Sequence, residues 1–207
     1  MKTLILAAIR CSLMFLVTAS PFFLRPAQAY TVTLEEIGSD VVATGSGAIN
    51  LTGLTFFGSG VGLNPGILAD FGTIIMGPGG AFVNVDVYFG FTGPRSFGSG
   101  DLFRPNTSSG DAFAFEAPIP FFHGEIIVPQ GYVSGAALSD SMTFNNATFA
   151  SLGVTPGTYV WRWGTGLENQ NFTLIIGGTG VPDGGSTVSL LGLGVLGLAA
   201  LRSKLSR

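Results

Sequence analysis

The chain has 207 residues, of which 32 are glycine and only 10% are charged, and its formal net charge is −3. The single cysteine, Cys11, excludes an intrachain disulfide, so the fold must be held by its core. Between Tyr30 and Gly180 there are eleven acidic and three basic residues. Because such a segment has no basic patch to meet phosphates, nucleic acid is excluded as an expected partner.

The N-terminal segment has the layout of a secretory signal peptide. Two basic residues lie in the first ten positions, the apolar stretch 11–24 follows, and the sequence Ala-Gln-Ala ends at Ala29. A basic region, an apolar region and an A-x-A site in this order are typical of export signals. We therefore predict a signal peptide over residues 1–29, with cleavage between Ala29 and Tyr30, and an exported domain over residues 30–180.

Alternation of apolar and polar residues predicts β-strands through the exported domain. It is strict over 81–91, where every odd position is apolar, and it recurs over 158–163 and 171–176. Further strands are predicted at 31–35, 47–56, 67–76, 111–116, 124–128, 132–138 and 141–144. Glycine and proline clusters separate these segments, and one helical turn is predicted at 147–152. Many short strands with such turns indicate an all-β domain, either a sandwich or a jelly-roll-like fold.

One nine-residue pattern, T-G-x-x-x-F-G-S-G, occurs at 52–60 and again at 92–100. Both copies follow predicted strands, so both are expected to form similar loops at strand ends. A duplicated structural unit is the alternative, although a repeat array needs at least three copies to bury a continuous core.

No constellation of residues indicates catalysis, so we expect no enzyme activity, no catalytic residue and no cofactor. His123 is the only histidine, and in an extended chain it shares a face with Glu125. A protein metal site usually takes three or four ligands, and no second histidine or cysteine accompanies this pair in the domain. No G-x-S-x-G motif supplies a nucleophile. A hydrolase is the weakest hypothesis, and it predicts a concave cluster of carboxylates around His123.

Two pairs of polar residues offer oxygen ligands of the kind that Ca²⁺ prefers. They are Asn84 with Asp86, and Asp101 with Asp111. Neither pair stands in the loop spacing of an EF-hand, so no metal site is predicted from them.

Three aromatic residues, Tyr159, Trp161 and Trp163, alternate along one predicted strand and therefore share a face. Aromatic rings in such a stripe can stack on sugar rings, which makes these residues candidates for glycan stacking. Packing in the core is the commoner role of an aromatic stripe, and both interpretations stay open here.

The segments of the last 27 residues follow one another in the order of a protein-targeting signal. The turn sequence V-P-D-G-G-S-T at 181–187 is followed by an uncharged apolar run to residue 201 and a basic tail at 202–207. As a helix the run 187–201 spans ~22 Å, which is short for a hydrocarbon core of ~30 Å unless flanking basic side chains snorkel outward. We predict a transmembrane helix over about 187–201, with a buried C-terminal core helix as the alternative. The turn residues are Val181, Pro182, Asp183, Gly184 and Gly185, and the basic residues are Arg202, Lys204 and Arg207.

A signal peptide combined with this turn, apolar run and basic end resembles the PEP-CTERM class of bacterial exported proteins. The sequence is most similar to the variant group called VPDSG-CTERM, whose signal begins Val-Pro-Asp, and it departs from the commonest pattern of the class by having Asp183-Gly184 where Glu-Pro is usual. The segment 156–166 followed by 171–174 also resembles the strand pair that often precedes this signal. In that class the C-terminal segment is a sorting signal that an exosortase, a membrane protease-transpeptidase, reads and removes.

The resemblance implies an exported surface or extracellular-matrix protein of bacterial origin. Its expected partners are an exosortase, the inner membrane of a Gram-negative bacterium as a transient anchor, and extracellular polysaccharide. Excess basic residues stay on the cytoplasmic side of a membrane segment, so the acidic domain is expected outside and the tail inside. The alternative function is a carbohydrate-binding module of the exopolysaccharide matrix of a biofilm.

Overall fold

Alternating side chains organise the chain into two β-sheets of seven strands each. The computed structural model describes residues 28–62, 64–79, 83–118 and 123–177. Most of the predicted signal peptide and the whole predicted sorting signal, with its transmembrane helix, lie outside the described residues. No helix within the described ranges is long and apolar enough to cross a membrane.

The strands are short and follow one another closely in the chain. Their bounds are β1 Thr31–Ile37, β2 Asp40–Ala48, β3 Thr55–Val61, β4 Gly66–Leu68, β5 Thr73–Met76, β6 Asn84–Phe89, β7 Phe91–Thr92, β8 Leu102–Phe103, β9 Thr107–Gly110, β10 Phe113–Glu116, β11 Glu125–Pro129, β12 Ala137–Phe144, β13 Gly157–Trp163 and β14 Asn171–Ile176. A 3-10 helix, Ala69–Phe71, separates β4 from β5, and the helix α1, Phe149–Leu152, precedes β13.

The strand order shows which strands belong to each sheet. Sheet I has the order β7-β13-β14-β1-β2-β12-β9, and sheet II has the order β3-β6-β11-β10-β5-β4-β8. Every named neighbour pair is antiparallel except β1 and β14, which run parallel with Thr31 opposite Thr173 and Leu34 opposite Ile176. The first and last strands therefore lie side by side in the middle of sheet I.

An aromatic cluster joins the two sheets. Trp161 of sheet I is fully buried, and its ring lies 4.5 Å from Phe115 of sheet II and 5.3 Å from Phe172 of its own sheet, between ring centroids. The indole N–H donates to the carbonyl of Pro94 at 2.6 Å. Buried residues from both sheets form one core, as the predicted sandwich requires.

Three of the predicted strands are wrong because turns interrupt them. The predicted strand 67–76 is divided by the 3-10 helix Ala69–Phe71 and by Gly72, which has a φ of +58°. The predicted strand 47–56 is not one strand, because β2 ends at Ala48 and β3 begins at Thr55. The chain turns between them at Gly53, which has a φ of +90°. The predicted strand 132–138 is mostly a turn, with Gly135 at φ of +86°, and β12 begins only at Ala137. Positive φ values favour glycine and end regular extended structure.

The repeated nine-residue pattern forms two different structures. In the first copy Phe57 lies in β3 and is 71% exposed. In the second copy Phe97 is buried, and Gly98 forms an isolated bridge with Val154. The expectation of two similar loops is therefore wrong, and the pattern does not form a repeated unit of structure.

Replacement of Trp161 by Phe tests the aromatic cluster. The phenyl ring keeps most of the apolar contact but leaves the carbonyl of Pro94 without its buried donor, so the free energy of unfolding should fall by about 1–3 kcal/mol. Urea unfolding measures this loss. Tyr159→Phe is the control on the same strand, since it removes only an exposed hydrogen bond to the carbonyl of Thr155. Equal losses in the two variants would contradict the proposed role of the indole N–H.

Candidate functional site

The predicted signal-peptide cleavage site lies inside a strand ladder. The amide of Tyr30 donates to the carbonyl of Ala48 at 3.0 Å, and the amide of Ala48 donates to the carbonyl of Gln28 at 2.8 Å. The hydroxyl of Thr31 donates to the carbonyl of Ala29 at 3.1 Å. A protease cleaves its substrate as a free extended chain. Cleavage between Ala29 and Tyr30 must therefore occur before this segment pairs with β2.

The side chain of Tyr30 reaches into the core and meets a buried acid. Its hydroxyl donates to one carboxylate oxygen of Asp140, and the second oxygen has no hydrogen-bond partner among the described residues. Asp140 is only 3% exposed. A Cβ atom on Gly45 would overlap both the carboxylate and the hydroxyl, so glycine is needed here for close approach. This pair ties the predicted mature N-terminus to β12.

Burial raises the pKa of both partners. It raises the pKa of Asp140 to about 7, against the hydrogen bond from Tyr30, which lowers it, and the charge of Asp111 adds to the increase. Burial also raises the pKa of Tyr30 well above its usual value, and the charge of Asp140 contributes. Removal of a carboxylate from water disfavours its charged form, so the neutral acid is the better-tolerated species in this position.

The buried acid has a signal in the sequence of β12. Residues Leu138, Asp140, Met142 and Phe144 occupy the inward positions of β12, and the other three are apolar. An acid on the apolar face of an alternating strand indicates a buried carboxyl group that needs a partner.

The aromatic stripe of β13 lies largely in the core. Trp161 is fully buried and Trp163 is 4% exposed, while Tyr159 is half-buried. The indole N–H of Trp163 donates to the carbonyl of Asn50 at 2.7 Å. Neither indole offers an open face to a sugar ring, so the burial supports the packing role for the two tryptophans.

A cleft opens beside the end of this strand. It has a volume of about 440 Å³, and Arg162, Asn171, Thr92 and Leu167 are among the residues that line it. No hydrogen bond or ion pair engages the Arg162 guanidinium within the described part of the chain. A second cleft of about 590 Å³ contains Arg104, whose guanidinium donates to the carbonyls of Asn64 and Pro65. Of these two arginines, Arg162 in the first cleft is therefore the one whose guanidinium is available to a ligand.

His123 precedes β11, and two half-buried acids, Glu116 and Glu125, lie on adjacent strands of sheet II. His123 is exposed, and its ring lies 5.9 Å from that of Phe89. Glu125 lies directly opposite Glu116 on the adjacent strand. Burial raises the pKa of Glu116, with a further increase from the charge of Glu125, and burial also raises the pKa of Glu125.

Two of the four candidate calcium ligands, Asp86 and Asp111, serve internal contacts. Asp86 accepts hydrogen bonds from Ser59 at 2.6 Å and from the amide of Gly131 at 2.8 Å. Asp111 accepts from the amide of Ser139 at 2.8 Å. No group of three or more His, Cys, Asp or Glu side chains in the described ranges could hold a metal ion.

The buried acid predicts how stability depends on pH. Because the folded-state pKa of Asp140 lies above its usual value, the native chain binds a proton that the unfolded chain releases, and stability falls as pH rises from about 4 to about 7. The expected slope is at most about 1.4 kcal/mol per pH unit. Urea unfolding of the wild type and of Asp140→Asn across this range measures it. If the difference between the two proteins did not change with pH, the raised pKa would be refuted.

Comparisons with known proteins identify only the C-terminal segment. A family model described as the VPDSG-CTERM motif matches residues 180–205, which include the predicted turn and the apolar run. No curated protein and no solved structure matches the chain. The resemblance stated from the sequence is therefore confirmed at the motif itself. The chain carries a VPDSG-CTERM motif, which implies an exported, membrane-anchored precursor with a PEP-CTERM-like sorting domain.

Proposed function

We propose that this chain is a non-catalytic surface or extracellular-matrix protein, delivered in two steps by signals at its two ends. The observation that carries the proposal is the VPDSG-CTERM motif at residues 180–205. A signal peptide over residues 1–29 directs the chain across the inner membrane of a Gram-negative bacterium. A helix over about 187–201 then holds the precursor until an exosortase cuts near Pro182 and releases the β domain toward the cell surface.

The short connection to the domain constrains the processing step. Pro182 follows Gly177, the last described residue, by five positions. Five residues span at most about 18 Å when fully extended. The folded domain therefore stays within about 18 Å of the cleaved bond, and the exosortase must accept a substrate with a folded sheet end close by.

The sorting signal predicts a processed C-terminus. In a host with a matching exosortase, mass spectrometry of the surface-located protein should find a C-terminus near Pro182. Asp183→Asn should reduce the processed fraction, because the turn loses the acid that distinguishes its motif. Asp101→Asn, which removes an exposed acid from the domain, is the matched control and should be processed normally. Recovery of the surface protein intact through Arg207 would contradict exosortase processing.

A second candidate function is binding of an acidic polysaccharide in the cleft beside β13. It is favoured by the guanidinium of Arg162, which has no hydrogen-bond or ion-pair partner among the described residues, and by the volume of about 440 Å³, which lies in the range of ligand pockets. Arginine recognises carboxylate groups through two parallel hydrogen bonds. The ligand in this proposal meets Arg162, Asn171 and Thr92, and the buried tryptophans stay in the core.

Replacement of Arg162 tests this second candidate. Arg162→Ala should weaken binding to a uronate-containing polysaccharide by roughly tenfold or more, since a charge-assisted hydrogen bond is lost. Arg95→Ala is the matched control, because Arg95 is an exposed arginine outside the residues of the cleft. A quartz-crystal or pull-down assay on immobilised polysaccharide measures the change. Equal binding by wild type and Arg162→Ala would exclude this site.

A further inference from the structure

Three aromatic rings form a row on the outer face of sheet II, which points away from sheet I. The ring centroids of Phe57 and Phe89 lie 6.2 Å apart, and those of Phe89 and His123 lie 5.9 Å apart. Phe57 is 71% exposed, His123 is exposed and Phe89 is half-buried. None of the three belongs to the core between the sheets. We call these residues the outer aromatic row.

A bulge in β3 turns Phe57 toward this face. Phe56 is opposite Tyr88 of β6, but Gly58 is already opposite Val87, so Phe57 is the extra residue of the bulge. Val87 packs against the small hydrophobic cluster of the outer face, and Phe89, two positions further along β6, shares that face. The contact between the two phenyl rings therefore places Phe57 on the outer face as well. Bulges re-aim side chains and are frequent beside functional sites.

Two carboxyl groups lie beside the outer aromatic row. The antiparallel register of β11 with β6 places Glu125 next to Phe89, and Glu116 of β10 is directly opposite Glu125. Ile127, two positions from Glu125, belongs to the hydrophobic cluster of the outer face, so Glu125 points the same way. Residues directly opposite each other in an antiparallel pair share a face, so Glu116 points outward too.

Neither carboxylate is neutralised by the rest of the domain. No hydrogen bond or ion pair engages Glu116 or Glu125 in the part of the chain that the structure describes. Both side chains are half-buried, and burial raises the pKa of each, with the charge of Glu125 adding to the increase for Glu116. Like charges directly opposite each other destabilise a sheet. A cationic ligand would remove this repulsion.

Two glycines leave the surface beside the row without side chains. Gly58 and Gly60 are opposite Val87 and Val85, which both pack on the outer face. A Cβ atom on either glycine would meet nothing within 4 Å, and neither residue has a positive φ, so the fold itself does not require glycine there. Glycine in the interior of a strand often marks a place where a ligand or another backbone approaches closely.

We propose that the outer aromatic row and its two carboxyl groups bind a cationic polysaccharide, one whose sugars carry free amino groups. An ammonium group of the ligand lies between Glu125 and Glu116 and donates to both carboxylates, since it has three N–H donors. A sugar ring lies against Phe57 and Phe89, and the polymer continues over the two glycines of β3. The faces of the aromatic rings also attract an ammonium group directly.

Charge complementarity favours this ligand over the alternatives. The two carboxylates repel a polyanion, such as the uronate polymer considered for the Arg162 cleft, and an apolar protein surface would bury them without partners. A neutral glycan stacks on the rings but brings no charge to the acids. An amino sugar brings both a ring and a cation. The choice of a polysaccharide over a basic peptide rests on the proposed function in the extracellular matrix.

The test measures binding of the purified full-length chain, in a detergent that contains no sugar, to an immobilised glucosamine oligosaccharide. The fully N-acetylated form of the same oligosaccharide is the matched probe, because it has the same rings without the charge. In mildly acidic buffer, in which the free amines are protonated, the amino form should bind about tenfold more tightly than the acetylated form. Equal binding of the two forms, or no binding of the amino form, would overturn the proposal.

Four variants separate the charges from the rings. Glu125→Gln keeps the shape of the side chain and should weaken binding about tenfold, because a charge-assisted hydrogen bond is lost. Phe57→Ala should weaken it about fivefold, because the ring face is lost. Asp101→Asn and Val133→Ala change an exposed acid and an exposed apolar residue outside the site, so they are the matched controls and should bind as the wild type does. The melting temperature of each variant should stay near the wild-type value. Undiminished binding by both Glu125→Gln and Phe57→Ala would contradict the site.

Binding is measured separately from sorting. The assay uses the purified chain, so a failure of exosortase processing does not change its result, and a failure of amino-sugar binding does not change the processed C-terminus. Arg162→Ala should bind the amino oligosaccharide as the wild type does, and a loss there would assign the ligand to the other cleft and overturn the proposal. A lysine peptide that competes as well as the free oligosaccharide would assign the site to a basic protein segment and overturn it too.

Discussion

The contact of Trp161 with Phe115 across the gap between the sheets holds this domain together. The described part of the chain has no cysteine, so its stability must come from burial between the two sheets. Phe172 stacks on the same indole from within sheet I, with an interplanar angle of 18°. Aromatic pairs of this kind contribute about 0.5–1.5 kcal/mol beyond the area that they bury. The indole N–H also holds the loop at Pro94, which leads from β7 in sheet I to β8 in sheet II. The side chain of Trp161 therefore links both sheets and the loop that connects them.

Strands with one face in the core were predictable because burial forces their side chains to alternate. β13 and β14 coincide with two of the three most regular alternating segments, β6 lies within the third, which breaks at Gly90, and the predicted helical turn contains α1. Thr148 caps the start of α1, where a capping box with Ser151 satisfies the first free amides. The C-terminal motif was also predictable, because its chemistry is linear and needs no folding. These successes have a common cause, since each depends on residues that are close in sequence.

Features that depend on glycine conformation or on distant residues were not predictable from the pattern. Around residues 47–56 the strand segments and the turn have the same composition. Only the positive φ of Gly53 distinguishes the turn from the strands. The contact between Tyr30 and Asp140 joins residues 110 positions apart. The Arg162 cleft forms where β7 meets β13, two strands that the sequence places far from each other. A stripe of aromatic residues looks alike in the core and on a surface, and only the opposing sheet distinguishes the two.

The parallel pairing of β1 and β14 determines how the domain responds to a pulling force. Gln28 and Gly177 leave the two strands at opposite ends of the pair, because parallel neighbours enter at one end and exit at the other. A load between these points acts along both strands, so their ladder of hydrogen bonds is sheared as a group instead of being opened one bond at a time. The domain is therefore built to resist tension that is applied between the start of β1 and the end of β14.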